Sequence, residues 1–246
     1  MFSVPLAGGT PTVLANFVGS NGSYPGSGVV ISGNTLYGAT LRGGANGEGS
    51  VFSLPVGGGS LTTLTSFNFT DGFDPPCLII SGNTLYGTTV DGGAYSYYGE
   101  VFSLPTSGGT PTILDSFDGT AGNWPSTLLL SNGTLFGTAV DGFNYGDGDV
   151  FSLPASGGTP TVLVSFNGSN GWNPVGNLIE DANGDLFGTA EYGGGGSGSG
   201  IGNGTIYELS PIVVPEPASM GVYAVALCLA VHRNRDGSFR RIAAQN

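Results

Sequence analysis

Apolar residues in this chain fall neither in helical spacing nor, until its last part, in long runs. They form short clusters of Val, Leu, Ile, Phe and Tyr bounded by Gly-Gly, Ser-Gly-Asn or Asn-Gly. Clusters so bounded predict short strands joined by tight turns, because Gly and Asn accept the positive φ angles that hairpins need. The clusters also recur. "FSVP", "VFSLP", "VFSLP" and "VFSLP" place Phe2, Phe52, Phe102 and Phe151 at spacings of 50, 50 and 49 residues, and "TIYELSP" from Thr205 is a weaker fifth copy.

Each period carries four strand-like runs. In the third they are Leu128 to Leu130, Leu135 to Ala139, Val150 to Leu153 and Thr161 to Phe166. Four antiparallel strands in about fifty residues is the size of a propeller blade, whereas solenoid coils are shorter and isolated hairpins leave edges exposed. The predicted fold is all-β, a β-propeller of four or more blades over residues 1–211. Complete blades fall at 25–67, 75–117 and 125–166, and residues 174–211 lack an outer strand. Residues 2–17 supply two outer strands without an inner pair, so "TPTVLANF" is expected to complete the fourth blade. A chain starting inside a repeat strand reads as truncated at its N-terminus. The second strand, with Gly and Thr around Tyr37, Tyr86, Phe136 or Phe187, suits a crowded place near a central axis.

Charge changes the picture in one respect. Of 246 residues only 9 % are charged, and before His232 sixteen acids face a single base, Arg42, giving the body a formal charge of about −15. Such a body repels phosphate backbones, so no nucleic-acid partner is expected. Cys77 and Cys228 lie in unlike surroundings, and no disulfide is expected; Cys77 reads as a small buried hydrophobe.

The unit "GNTLYGTTVDGGAYSYYGEVFSLPTSGGTPTILDSF" resembles the bacterial GloVer-type tandem repeat, whose members have a choice of C-terminal surface anchor. The resemblance covers about residues 2 to 209 and implies a location more than an activity. A second resemblance follows the repeats. "VPEPAS", an apolar run and then arginines resemble the PEP-CTERM sorting signal, through Val214, Pro215, Glu216 and Pro217, the segment 218–232, and Arg233 with Arg235 as the basic stop. That resemblance implies an exosortase-type processing enzyme as partner, a linker and cleavage box at 212–217, a short transmembrane helix at 218–232 and a basic cytoplasmic tail at 233–246. It also implies export, a transient membrane anchor, and a final place on the cell surface or in an exopolysaccharide matrix. Pro215 and Pro217 keep the box extended for an enzyme, and the arginines remain cytoplasmic under the positive-inside rule. The fourteen residues from Ala218 to Val231 would span about 21 Å as helix, less than the roughly 30 Å hydrocarbon core. No basic n-region and apolar h-region open the chain, so the export signal is expected upstream of Met1.

Enzyme chemistry is short of parts. His232 is the only histidine and lysine is absent, which removes Ser-His and Cys-His arrangements from the body along with nitrogen-rich zinc or copper sites. No catalytic residue, metal or cofactor is expected. Asp91 and Asp141 occupy equivalent positions and could form a carboxylate pair for a glycoside hydrolase or lyase, the alternative function. The repeat consensus, in which "DGG" makes a turn, is the plainer account of both. "DANGD", Asp181 to Asp185, reads as a hairpin turn rather than a calcium loop. The best candidates for ligand stacking are Tyr24, Phe73, Trp124 and Trp172 in "GSYP", "GFDP", "GNWP" and "GWNP". Such rings pack neighbouring blades or carry sugar rings. The expected function is structural or adhesive, with non-catalytic binding of matrix polysaccharide.

Overall fold

The computed structural model describes residues 1–141, 146–195, 202–210, 227–233 and 239–241. An N-terminal half-unit pairs β1 (Phe2–Ser3) with β2 (Thr12–Val13). Unit one is β3 (Val30–Ser32), β4 (Thr35–Thr40), β5 (Ser50–Pro55) and β6 (Thr62–Ser66). Unit two is β7 (Cys77–Ser81), β8 (Thr84–Thr89), β9 (Glu100–Pro105) and β10 (Thr112–Ser116). Unit three is β11 (Asn123–Ser131), β12 (Thr134–Asp141), β13 (Asp149–Pro154) and β14 (Thr161–Ser165). Each of these units is a four-stranded antiparallel sheet in chain order. Unit four has β15 (Ile179–Glu180), β16 (Leu186–Ala190) and β17 (Thr205–Ser210), extended by β18 (Leu227–Arg233) and β19 (Phe239–Arg241) into a five-stranded sheet. These are propeller-like blades. Their first strands border one cavity of about 580 Å³, lined among others by Val30, Cys77, Thr127 and Ile179. Burial there pushes the Cys77 thiol up to about 11.

Turn chemistry follows the residues. Asn132 and Gly133 both take positive φ, the pattern of a type I′ hairpin, whereas at "SGNT" only Gly33 and Gly82 do so. In "DANGD" the Asp181 carboxylate accepts the backbone N–H groups of Asn183 and Asp185, and these bonds hold its carboxyl below the usual range. It is a self-capped turn.

The repeat residues pack in two ways. Across the sheet, Gly38, Gly87, Gly137 and Gly188 stand opposite Phe52, Phe102, Phe151 and Tyr207, and the aromatic ring lies over the glycine where a Cβ would collide with it. The glycines of the second strand are therefore explained by this cross-strand ring, which corrects the expectation of crowding at an axis; the first strand lines the cavity. Between sheets, the Phe ending each unit meets the next unit's ring edge-on: Phe17 with Phe52, Phe67 with Phe102, Phe117 with Phe151 and Phe166 with Tyr207, at centroid distances of 5.2, 5.2, 5.1 and 5.0 Å. An edge-to-face pair adds about 0.5–1.5 kcal/mol beyond the area it buries. Val51, Val101 and Val150 face the following unit and share a buried cluster with its Leu85, Leu135 and Leu186 respectively. The core is thus a series of like interfaces between successive sheets.

Two expectations are corrected at the ends. "TPTVLANF" does not complete the fourth sheet, because β2 pairs with β1 and the outer edge of β17 is taken by β18. Nor is a C-terminal transmembrane helix found: within 218–232, residues from Leu227 onward form strand, and no helix among the described residues is long and apolar enough to cross a membrane. Among the described residues no fourth strand directly follows β17, and β18 satisfies the N–H and C=O groups that β17 would otherwise leave open. Val214, Pro215, Glu216, Pro217 and Arg235 lie outside the described residues, while Arg233 ends β18 opposite Phe239.

Candidate functional site

Chain-order antiparallel pairing divides the loops between the two ends of each sheet. Turns from first to second and from third to fourth strand lie at one end. Loops from second to third strand, and from fourth strand to the next unit, lie at the other. The second end therefore gathers Tyr24, Phe73, Trp124 and Trp172 together with Arg42, Asp91, Asp141 and Tyr192. These latter four hold one repeat position, so the match in unit four is Tyr192, one residue beyond Glu191. Isolated bridges join Ser23 to Arg42, Phe73 to Asp91 and Trp172 to Tyr192, and Asn123 pairs with Asp141.

The four aromatic residues are not structurally equivalent. Each loop ends in proline, and the residue before it takes positive φ: Tyr24 at +54°, Asp74 at +60°, Trp124 at +57° and Asn173 at +60°. Tyr24 and Trp124 occupy that position; Phe73 and Trp172 sit one residue earlier. The conformation serves the repeat, because the Asp74, Trp124 and Asn173 N–H groups donate to the carbonyls of Glu48, Tyr98 and Asp147 in the preceding unit. The following prolines, Pro75, Pro125 and Pro174, lie against Gly49, Gly99 and Gly148. Asp and Asn tolerate this backbone region, but for a bulky aromatic residue it is an outlier costing on the order of 1–3 kcal/mol.

Each ring has its own surroundings. Tyr24 is the most open, at 74 % exposure. Phe73 is half-buried with one face covered by Arg42, whose guanidinium carbon lies 4.1 Å from the ring centroid while its Nη1 is 2.9 Å from Asp74 Oδ2. Trp124 donates its indole N–H to the Tyr97 carbonyl at 3.0 Å. Trp172 packs on Tyr192 with ring centroids 5.1 Å apart.

The densest cluster lies where units two and three meet. Phe69, Tyr95, Tyr97 and Trp124 are exposed, with Phe69 edge-on to Tyr97 at 6.4 Å. Asp91 borders them, and burial pushes its carboxyl up. Asp141 instead accepts from Asn123 Nδ2 at 3.1 Å. Phe69, Tyr95 and Tyr97 were not among the sequence candidates. For Tyr95 and Tyr97 the signal was the departure of "GGAYSYYGE" in unit two from "GGANGEGS" in unit one, a local break in the repeat. Among the described residues no group of three or more His, Cys, Asp or Glu side chains could hold a metal ion. What the arrangement offers is flat apolar rings beside carboxylates and backbone polar groups.

Four sheets in tandem, stapled by like aromatic pairs and carrying their irregular loops at one end, define a propeller-like repeat protein. The chain belongs to the Gloeobacter/Verrucomicrobia repeat family, whose profile matches residues 1–201. No curated protein matches it. Among solved structures it is similar to TolB from Acinetobacter baumannii, at 15 % identity and a TM-score of 0.53 over 85 % of this chain and 45 % of that one. It is also similar to a Bacteroides uniformis protein assigned as a 6-phosphogluconolactonase, at 16 % identity and a TM-score of 0.50 over 98 % of this chain and 76 % of that one. A third likeness is to the extracellular domain of a protein assigned as a hybrid two-component system from B. thetaiotaomicron, at 14 % identity and a TM-score of 0.48; 89 % of this chain spans 22 % of that one. At these identities the likeness is of fold alone.

Proposed function

We propose that this chain is an exported bacterial surface protein that binds matrix polysaccharide without catalysis, through the aromatic loop end of a propeller. The observation that carries the reading is the exposure of Tyr24 and Trp124 at positive φ before proline, where sister units place Asp74 and Asn173. Local physics favours Asp or Asn there, so keeping a large ring at a solvent-facing position costs stability and is accounted for by a ligand. Pyranose rings suit such a surface, because their C–H faces stack on aromatic rings while their hydroxyls bond to nearby carboxylates and carbonyls. Residues 214–217, the apolar run after them and Arg233 with Arg235 act in this reading as a PEP-CTERM address, handled by an exosortase-type enzyme at the membrane.

The test is retention on immobilised matrix polysaccharide. Trp124→Ala and Trp172→Ala are expected to weaken it about tenfold or more with the fold intact by circular dichroism, about 1.4 kcal/mol of binding. Undiminished retention would sink the binding reading. A second reading, a carboxylate hydrolase or lyase, draws on the raised Asp91 carboxyl beside Trp124. It requires turnover of a glycan panel that disappears in Asp91→Asn and Asp141→Asn.

A further inference from the structure

Arg42 is the only Arg or Lys before His232. At the junction of units one and two its guanidinium carbon lies 4.1 Å from the Phe73 ring centroid and its Nη1 lies 2.9 Å from Asp74 Oδ2, so a ring face and a carboxylate hold one cation together. At the next junction Asp91 holds the repeat position of Arg42, and Trp124 holds that of Asp74. Ring and carboxylate recur there with their origins exchanged, Asp91 from unit two and Trp124 from unit three, and the body has no second base to place between them. Phe69, Tyr95 and Tyr97 add three more exposed rings, of which Tyr97 is the most open at 70 %. The neighbouring charges leave the patch acidic. Asp71 and Asp74 lie on the loop that carries Phe69 and Phe73, and Asp91 lies within electrostatic reach of Asp74 and Arg42. Three carboxylates thus share this patch with one guanidinium, which is already paired with Asp74.

We infer that the rings at the junction of units two and three bind an amino sugar, a hexosamine with its amine free, by stacking the pyranose face on Trp124 and Tyr97 and pairing the ammonium with Asp91. The inference rests on the polysaccharide reading above and names the sugar class. Charge complementarity selects the occupant. Aromatic faces are the negative poles of their quadrupoles, so a cation is attracted by the rings as well as by the carboxylate. A uronate or sulfated sugar would instead bring further negative charge to a body of about −15 formal charge. Partial burial of Asp91 strengthens the pairing, because a carboxylate short of water gains more from a charged donor. The patch also suits an amino sugar better than a lysine side chain. The sugar's amine is fixed to the ring that stacks, so its binding orders little, whereas a lysine must give up the rotamer freedom of a long stem.

Isothermal titration of the full chain with a glucosamine tetrasaccharide and with its fully N-acetylated counterpart tests it, at about pH 6, where ordinary carboxylates are ionised, and in about 0.15 M salt, which screens distant exposed charges. The free-amine form is expected to bind about tenfold more tightly. Asp91→Asn is expected to weaken the free-amine form by about tenfold and to leave the N-acetylated form within about twofold, because only the charge pairing is lost. Tyr97→Ala is expected to weaken both. Glu180→Gln removes an equal charge from exposed β15 beside the turn end and is expected to change neither, which separates pairing at the site from the general attraction of an acidic body for a cation. Equal affinity for the two forms, or a preference that survives Asp91→Asn, overturns the inference and leaves the broader polysaccharide reading standing. So does a lysine tetrapeptide that binds as tightly as the free-amine sugar with the same dependence on Asp91, since the site would then take a basic protein segment. Binding of neither oligosaccharide also overturns it, and retention on matrix polysaccharide then decides the broader reading separately.

Discussion

Glycine and the residue before proline carry most of what is specific to this fold at the scale of single residues. The loops preceding Pro25, Pro75, Pro125 and Pro174 all require a left-handed residue, and two of the four supply an aromatic one. Tyr24→Asn is accordingly expected to raise stability by about 0.5–1 kcal/mol, because Asn adopts that region at lower cost and the Tyr24 ring is largely open to solvent. Urea denaturation checks it; an unchanged or lowered midpoint would show that the ring contributes more to the fold than its exposure suggests. The aromatic residues and their two positions were both legible in the sequence, since Tyr24 in "GSYP" and Asp74 in "GFDP" each precede the proline. What the sequence did not show is that this place takes positive φ and hydrogen-bonds to the preceding unit.

Within and between sheets the sequence was most informative, and for a physical reason. Hairpin turns rest on local φ preferences, so clusters bounded by Ser-Gly-Asn and Gly-Gly reported strands correctly at Cys77–Ser81, Thr84–Thr89 and their sisters. The second-strand glycine was assigned a wrong cause, since its partner, Phe102 for Gly87, lies fifteen residues away and is revealed by the ladder register. Gly87→Ala places a methyl group where the Phe102 ring lies, and a shift of that ring disturbs its edge contact with Phe67. The expected loss is about 1–3 kcal/mol, by analogy with overpacked cores. Thermal unfolding of Gly87→Ala beside an open-position control without positive φ, Gly57→Ala, separates ring displacement from a general glycine effect; equal losses would argue against the ring. The C-terminal run misled for the converse reason. "ALCLAV" is apolar enough for helix or strand, and the deciding factor, the open outer edge of β17, is a tertiary property.

For the molecule as a whole, repetition explains both architecture and surface. A chain that reuses one interface places the loops from second to third strand and between units at one end, and the hairpin turns within each sheet at the other. Substitutions that build a surface can then accumulate at the loop end, as "AYSYY" does in unit two, without disturbing the stapled core. The apolar run beyond Pro217 has two competing uses, as an edge strand on unit four and as a membrane-directed address in the proposed sorting signal. The claim that unites these scales is that the loop end is the ligand surface. Radical footprinting of the full chain with and without soluble matrix polysaccharide tests this most directly. The account predicts protection at Tyr24, Phe69, Tyr97 and Trp124 with none at the turn-end residues Val56 and Ile31. Protection confined to the turn end, or no protection of these four aromatics under saturating polysaccharide, would contradict it.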